Sequence, residues 1–553
     1  MKTRAQALRA IQGQSFDVCV IGGGATGSAC AWDAQLRGLR TVLLEAADFA
    51  SGTSSTSTKM AHGGVRYLEE AVRSLDIKQY EVVRRALRER VHMLRSAPFL
   101  AHPQAFLTPC FNWLECAYYE IGLKLYDWIA GSASLAPSFF VSREDALRRI
   151  PQLAPRGLAG GVIYSDGQFD DARYNIVLVE TFTQEGGEAL NYARVQAFVK
   201  QAGGKIAAVE VEDQLSPERF EVQARAFVNA TGPFADGIRA MAAPGIPPRM
   251  RPSKGAHIFL PLKVLNSDDA LLIPKTEDGR VIFAIPWLGR LLVGTTEEEV
   301  RPGDELCVTR EDVDYLLRHL NRYLAAPARA DQIVSGTAGA RPLVSFSSSK
   351  ATKKLARDHV VERDSSSGLI SILGGKWTTH RVMAENTINA VAAQLGHPQS
   401  PCRTRGRPLA GANGYSESSW QNLMRENSIM EATARHLAEK YGARAPDVLA
   451  LAKSDPSLTE PLVEGLAPLK AQVAFAAREE MAMSIEDVLA RRIGLQWYGW
   501  KQAMKAAPLV ADLLARELSW PGEEKRKAAV DYETKIQGAM QNAGLGTAPD
   551  LKS

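Results

Sequence analysis

The sequence predicts an α/β unit followed by an α unit, and three observations carry that reading. A short apolar run, Phe16-Asp17-Val18-Cys19-Val20-Ile21, leads through glycines into a helical stretch, the strand-turn-helix order of a parallel sheet. Between about residues 250 and 350, short apolar segments are separated by Pro and Gly, as in an antiparallel sheet. Past about residue 400 the composition turns to Ala, Leu, Glu and Arg at helical spacing. The expected class is a discontinuous Rossmann-like domain, an antiparallel-sheet domain threaded through it, and a helical C-terminal domain.

Each element has its own signal. The run at 16–21 ends at Gly22, and residues 25–37 read as a helix with small residues at its start and Gly38 just past its end. Thr41-Val42-Leu43-Leu44 is the second strand, which completes a βαβ half-unit. Residues 75–94 repeat apolar positions at helical spacing among many arginines, whereas 207–211 and 220–230 read as strands joined by a turn. The later sheet is expected from His257-Ile258-Phe259-Leu260, Leu271-Leu272-Ile273, Val281-Ile282-Phe283-Ala284-Ile285 and Leu291-Leu292-Val293. Ser484-Ile485-Glu486-Asp487 resembles a capping box opening a helix that ends at Arg491-Arg492. The last dozen residues, with Gly544, Gly546 and Pro549, are expected to fray.

Composition narrows the function classes. The 553 residues carry 66 Lys+Arg against 62 Asp+Glu, too even a balance to indicate nucleic-acid binding. The six cysteines form no C-x-x-C pair and read as reduced thiols, not as a disulfide framework or a zinc site; no metal is expected. Residues 1–15 lack an apolar signal core, and no run of about 18 apolar residues exists, so secretion and membrane spanning are not expected.

Chemistry enters at Gly22-x-Gly24-x-x-Gly27. The first glycine permits the tight turn, the second lets the backbone approach a pyrophosphate, and the third lets helix pack on strand. Phosphate would sit on the N-terminus of that helix, at Ala25 and Thr26, and Glu45, ending the second strand, would hold the adenosine ribose. This fingerprint does not distinguish FAD from NAD. The stretch Ser51-Gly52-Thr53-Ser54-Ser55-Thr56-Ser57-Thr58-Lys59, dense in hydroxyls, suits the wrapping of a long polar cofactor, and His62-Gly63-Gly64-Val65-Arg66-Tyr67-Leu68 follows directly.

Taken together, these segments resemble the FAD-dependent glycerol-3-phosphate dehydrogenase family. The resemblance continues in Asn229-Ala230-Thr231-Gly232-Pro233, Lys254-Gly255-Ala256-His257, Ala340-Arg341-Pro342-Leu343, Arg357-Asp358-His359 and Gly374-Gly375-Lys376-Trp377-Thr378-Thr379-His380-Arg381. Trp377 and His380 depart from it, standing where the family more often has Leu and Tyr. It implies an FAD-dependent oxidoreductase unit at 15–395, with FAD parts about 15–95, 155–245 and 355–395 and substrate-sheet parts about 96–154 and 246–354, before a helical domain at 400–553. With no D-x-[DN]-x-[DN]-G loop, a bacterial-type member without a calcium-binding extension is expected.

The resemblance also implies site roles. FAD would contact Gly22, Gly24, Ala25, Thr26, Gly27, Glu45, Thr53, Ser54, Ser57, Thr58, Lys59, His62, Gly63, Gly64, Thr231, Gly232, Gly374, Gly375, Lys376 and Thr378. Glycerol 3-phosphate would meet Arg66, Tyr67, Arg341, Arg357 and Lys376, because guanidinium forks match phosphate oxygens. His62, His257, Arg341 and Lys376 would carry the chemistry, with the base role open between the two histidines and another group. Electrons would pass to a membrane quinone, or to oxygen in an oxidase relative. The aromatic segment 113–128 reads either as an interface-seeking helix or as an ordinary core helix. The expectation is a cytoplasmic protein attached peripherally to the inner face of the cell membrane, with a homodimer allowed. Two rivals predict other outcomes: an amino-acid oxidase, in which arginine clamps a carboxylate, and a flavin-binding interaction protein without turnover.

Overall fold

The computed structural model describes residues 1–64, 77–345, 359–397 and 400–546. Its first sheet is centred on Ser15–Ile21, flanked in parallel by Arg219–Asn229 on one side and Thr41–Leu44 on the other. Glu188–Leu190 extends the sheet beyond Thr41–Leu44, and Ile370–Gly374 beyond Arg219–Asn229, all parallel. Burial on both faces explains the unbroken apolar runs: every residue of Thr41–Leu44 is buried. The helices Ala25–Leu36, Asp171–Gln184 and His380–Gln394 pack together against this sheet. A hairpin, Ala193–Lys200 with Ile206–Asp213, pairs antiparallel with the start of Arg219–Asn229 and splays from it.

The second sheet runs Glu298–Glu299, Ser253–Pro261, Arg290–Gly294, Ile282–Trp287, Ala270–Ile273, Ala101–Cys110, Gly160–Phe169 and Met60–Ala61, with Ser335–Arg341 also pairing to Ser253–Pro261. Its neighbours are antiparallel except Ala270–Ile273 against Ala101–Cys110, so the expected antiparallel sheet is mixed. Two expected boundaries move as well. Gly160–Phe169 pairs along its whole length with Ala101–Cys110, so the segment assigned to the cofactor part from 155 begins with a strand of the second sheet. Met60–Ala61, inside the part drawn at 15–95, also joins that sheet.

The C-terminal region is helical, with long helices at Trp500–Leu518 and Gly522–Asn542. It shares one core with the second sheet, in which Ile258, Leu260 and Val293 pack with Val488, Trp500 and Val510. The capping geometry at Ser484 forms: its amide donates to Asp487 Oδ2 and its hydroxyl accepts from the Asp487 amide. The turn that follows, Asp487–Arg492, is π-helical. The N-terminal residues also fold, as the helix Arg4–Ile11, whose Arg4 pairs with Asp213 at 2.7 Å.

The helix Trp113–Ala130 resolves the ambiguity of its segment. Cys116, Leu123, Tyr126 and Ile129 face inward, whereas Trp113 and Trp128 are each 70% exposed and Leu114 is 84% exposed. It is an amphipathic surface helix with an apolar outer face. Among the described residues no helix is long and apolar enough to cross a membrane.

Candidate functional site

Strand Ser15–Ile21 delivers the chain to Gly22, whose φ of +106° only glycine adopts without strain. A Cβ there would also lie 2.7 Å from the Ala230 carbonyl oxygen. The helix Ala25–Leu36 opens at Gly24 with no capping side chain of its own; instead the Ala25 amide donates to Ser54 Oγ at 2.9 Å. Its amides therefore face a pocket, as an anion site requires. Glu45 directly follows the strand Thr41–Leu44 and accepts from the Gly23 amide at 2.6 Å and the Ala47 amide at 2.9 Å. Burial pushes the Glu45 carboxyl up, and these amides pull it back. From the far side, Asn175 Nδ2 donates to the Gly23 carbonyl at 2.8 Å and fixes the turn.

Gly22, Gly24, Ala25 and Glu45 line a cavity of about 940 Å³, large enough for a dinucleotide and a small substrate together. Glu45, Ala46 and Ala47 with Ala193–Gln196 of the splayed hairpin form the far end. Gly22, Gly24, Ala25 and Thr26 face Thr53 and Ser54 in the middle, and Thr231 and Gly232 add a wall. Thr53 Oγ1 donates to the Ala340 carbonyl at 2.6 Å, which ties the hydroxyl-rich stretch to the second sheet. These features suit FAD: a helix N-terminus on the cavity for pyrophosphate, a carboxylate where a ribose would lie, and the glycine pair Gly374 and Gly375 on the cavity wall.

At the other end His62, His257, Arg341, Lys376 and Thr378 meet Ser57 and Thr58. Thr378 Oγ1 accepts from the His62 amide at 3.1 Å. Arg341 is braced by the second sheet: Nη1 donates to the Lys254 carbonyl at 3.2 Å, and Nη2 to Thr295 Oγ1 and the Thr296 carbonyl, each at 3.0 Å. His257 is 2% exposed, and its Nε2 lies 3.0 Å from Thr58 Oγ1. Burial, with Arg341 and Lys59 nearby, holds its pKa down to about 3, so the ring is neutral.

Four residues expected at the cofactor lie elsewhere. A Cβ on Gly27 would sit 1.8 Å from the Gly22 carbonyl oxygen, so Gly27 serves helix-strand packing. Lys59 points away from the cavity into a buried ion pair with Asp171. Gly63 packs on Leu87 and donates its amide to Tyr126 Oη at 2.8 Å, and Gly64, with φ +85°, completes that turn without lining the cavity. Arg66, Tyr67 and Arg357 lie outside the described residues.

Other site groups escaped the sequence reading. A Cβ on Gly294 would lie 2.0 Å from His257 Cδ2, one on Gly255 2.4 Å from Arg341 Nη2, and one on Gly339 1.9 Å from Thr56 Oγ1. These three glycines clear room for the site's own side chains, and glycine inside a strand was the available signal. Trp377, which departs from the family pattern, donates its indole N–H to the Ser54 carbonyl at 2.9 Å and packs on His380 with ring centroids 5.1 Å apart. The two departures thus touch each other and brace the cofactor-facing loop.

Comparison with known proteins agrees with this geometry. The FAD dependent oxidoreductase family profile matches residues 17–381, and that of the C-terminal domain of alpha-glycerophosphate oxidase matches residues 402–525. The mitochondrial glycerol-3-phosphate dehydrogenase of Bos taurus is 39% identical over 534 residues, 95% of this chain and 73% of the relative. That of Arabidopsis thaliana is 38% identical over 533 residues, 93% of this chain and 84% of the relative. The glycerol-3-phosphate dehydrogenase of Bacillus halodurans, solved in complex with FAD, superposes with a TM-score of 0.79 at 28% identity, covering 99% of both chains. With its fold, its dinucleotide cavity and both of its parts matched, the chain belongs to the FAD-dependent glycerol-3-phosphate dehydrogenase family.

Proposed function

We propose that this enzyme oxidises sn-glycerol 3-phosphate to dihydroxyacetone phosphate and passes the electrons to a membrane quinone. The observation that carries this is the cavity end where Arg341, Lys376, His62 and His257 converge beside Gly374 and Gly375. A phosphate dianion needs fixed cations, and Arg341, braced by three hydrogen bonds, and Lys376 supply them. FAD, held along Gly22, Gly24, Glu45, Ser54 and Gly374, would supply the two-electron acceptor for oxidation at C2. The hydroxyl proton needs a nearby base. A histidine held at about 3 is a weak proton acceptor at neutral pH, so His257 orients the hydroxyl and His62 takes the proton.

Anaerobic mixing with glycerol 3-phosphate should bleach the flavin, and a quinone analogue should restore its colour faster than oxygen does. No bleaching sinks the substrate; faster recovery with oxygen makes the enzyme an oxidase. His62→Ala should lower kcat at pH 7.5 more than His257→Ala does, with bound FAD unchanged in both, and the reverse pattern would exchange the two roles.

Peripheral attachment to the inner face of the cell membrane belongs to the same proposal. It is supported by the exposed Trp113, Leu114, Ile121 and Trp128 on one surface helix, an aromatic-rich apolar face of the kind that enters the lipid interface.

A further inference from the structure

Behind the cavity wall lies a buried ion pair that the chemistry above does not use. Lys59, 1% exposed, and Asp171, fully buried, join the hydroxyl-rich loop to the first turn of the helix Asp171–Gln184. Lys59 takes a left-handed backbone, φ +60°, and its Nζ also donates to the Ser55 carbonyl at 2.7 Å. The other carboxylate oxygen of Asp171 accepts from the Ser57 amide at 3.0 Å and from Ser57 Oγ at 2.7 Å. Residues 55–59 are therefore tied from inside to the Asp171 carboxylate, and the Lys59 carbonyl also accepts from the Phe169 amide at 2.9 Å. The residue between the two held positions is Thr58, whose hydroxyl lies 3.0 Å from His257 Nε2. The other ring nitrogen of His257, Nδ1, is buried and has no hydrogen-bond partner among the described residues, so among them Thr58 is the hydrogen-bonding contact that orients the ring.

We propose that Asp171 is a positioning residue for the oxidation: through Ser57 and Lys59 it sets the turn that presents the Thr58 hydroxyl to His257. This rests on the reading that His257 meets the substrate hydroxyl. The desolvation of a buried pair is offset only when further hydrogen bonds satisfy its remaining lone pairs, so the Asp171 carboxylate needs the Ser57 contacts and fixes that loop through them. Here the same carboxylate spends one oxygen on the lysine and the other on the loop that carries Thr58. The neighbouring Asp170, which caps the same helix, pairs with Lys440, so the start of that helix is also anchored to the helical domain.

The test uses the full-length FAD-loaded protein, a dye-linked assay with glycerol 3-phosphate, and FAD content per chain from visible absorbance after gel filtration. His257→Ala, Thr58→Val, Asp171→Asn and the Thr58→Val/Asp171→Asn double variant are compared with wild type. Thr58→Val and Asp171→Asn should each lower kcat about tenfold, with KM within threefold and FAD content unchanged, and the double variant should fall no further than Asp171→Asn alone. Multiplicative losses in the double variant would overturn the proposal, as would an Asp171→Asn protein that keeps kcat but loses FAD. Should Asp171→Asn not fold, Ser57→Ala leaves the ion pair intact and removes one link. Its loss of kcat, about threefold, should vanish in the Thr58→Val background; persistence there would overturn the proposal equally. An unchanged kcat in His257→Ala removes the reading of His257 and this inference with it, whereas a loss in His257→Ala without one in Thr58→Val overturns the inference alone.

Discussion

At the scale of single residues, the site depends on side chains that are held before substrate arrives. Arg341 makes three hydrogen bonds to backbone and hydroxyl oxygens of two other strands or turns. Its orientation is set by the second sheet, which lowers the ordering cost of gripping a phosphate. Arg341→Ala should therefore raise KM by roughly 10- to 100-fold, the worth of one to two charge-assisted hydrogen bonds, while bound FAD stays at one per chain. An unchanged KM would move phosphate recognition to other cations. The glycine turn was legible because Gly22, with φ +106°, and Gly27, against the Gly22 carbonyl, answer backbone demands inside the motif itself. Gly255, Gly294 and Gly339 were not, because what they make room for comes from segments distant in sequence. Lys59 misled for a related reason. Within its hydroxyl-rich stretch it reads as a cofactor contact, but its partner is Asp171, 112 residues along the chain.

At the scale of elements, what is local in sequence was readable and what depends on pairing was not. Thr41–Leu44 has the limits its apolar run implies, and Gly38 takes the left-handed conformation, φ +84°, that ends the preceding helix. The parallel contact of Ala270–Ile273 with Ala101–Cys110 has no local signature, since each strand alone would fit either direction. The helix Trp113–Ala130 shows a subtler limit. Its composition fits burial or an interface equally, and only the sheet beneath it decides which face is left outside. That outer face gives a direct prediction. Removing about 2 kcal/mol of apolar contact per side chain, Trp113→Ser/Leu114→Ser/Trp128→Ser should weaken co-sedimentation with phosphatidylglycerol-containing vesicles by at least about 100-fold. Dye-linked activity should persist. Equal sedimentation of variant and wild type would place membrane attachment on another surface.

At the scale of the whole molecule, the helical region is joined to the cofactor domain by buried charge as well as by apolar packing. Asp48, on the loop just past Glu45, accepts from Arg491 Nε at 2.5 Å and from Arg492 Nη2 at 2.9 Å, and Arg492 also donates to the Glu480 carbonyl. Burial pushes the Asp48 carboxyl up, but the two guanidiniums outweigh it and leave it below the ordinary range. Asp48→Asn strands the buried Arg492, while Arg491 keeps Asp487, and should cost about 3–5 kcal/mol in denaturant unfolding; a loss under 1 kcal/mol would mean that Arg492 finds another partner. Acid should act on the whole fold through its histidines. Burial holds His257 and His436 down to about 3 and His380 to about 4, well under their unfolded value. Between about pH 4 and 6.5 the unfolded chain thus binds more protons than the folded one, so this contribution to stability is present above pH 6.5 and is lost as pH falls toward 4. Each histidine contributes a slope of about 1.4 kcal/mol per pH unit within that window. His436, whose Nε2 meets Gln472 Nε2 at 3.1 Å, lies outside the catalytic cavity and offers the cleanest measurement. His436→Gln should flatten the dependence of unfolding free energy on pH by that amount around pH 5, with glycerol 3-phosphate turnover at pH 7.5 unchanged. A variant whose slope matches wild type would show that His436 is protonated in the folded protein.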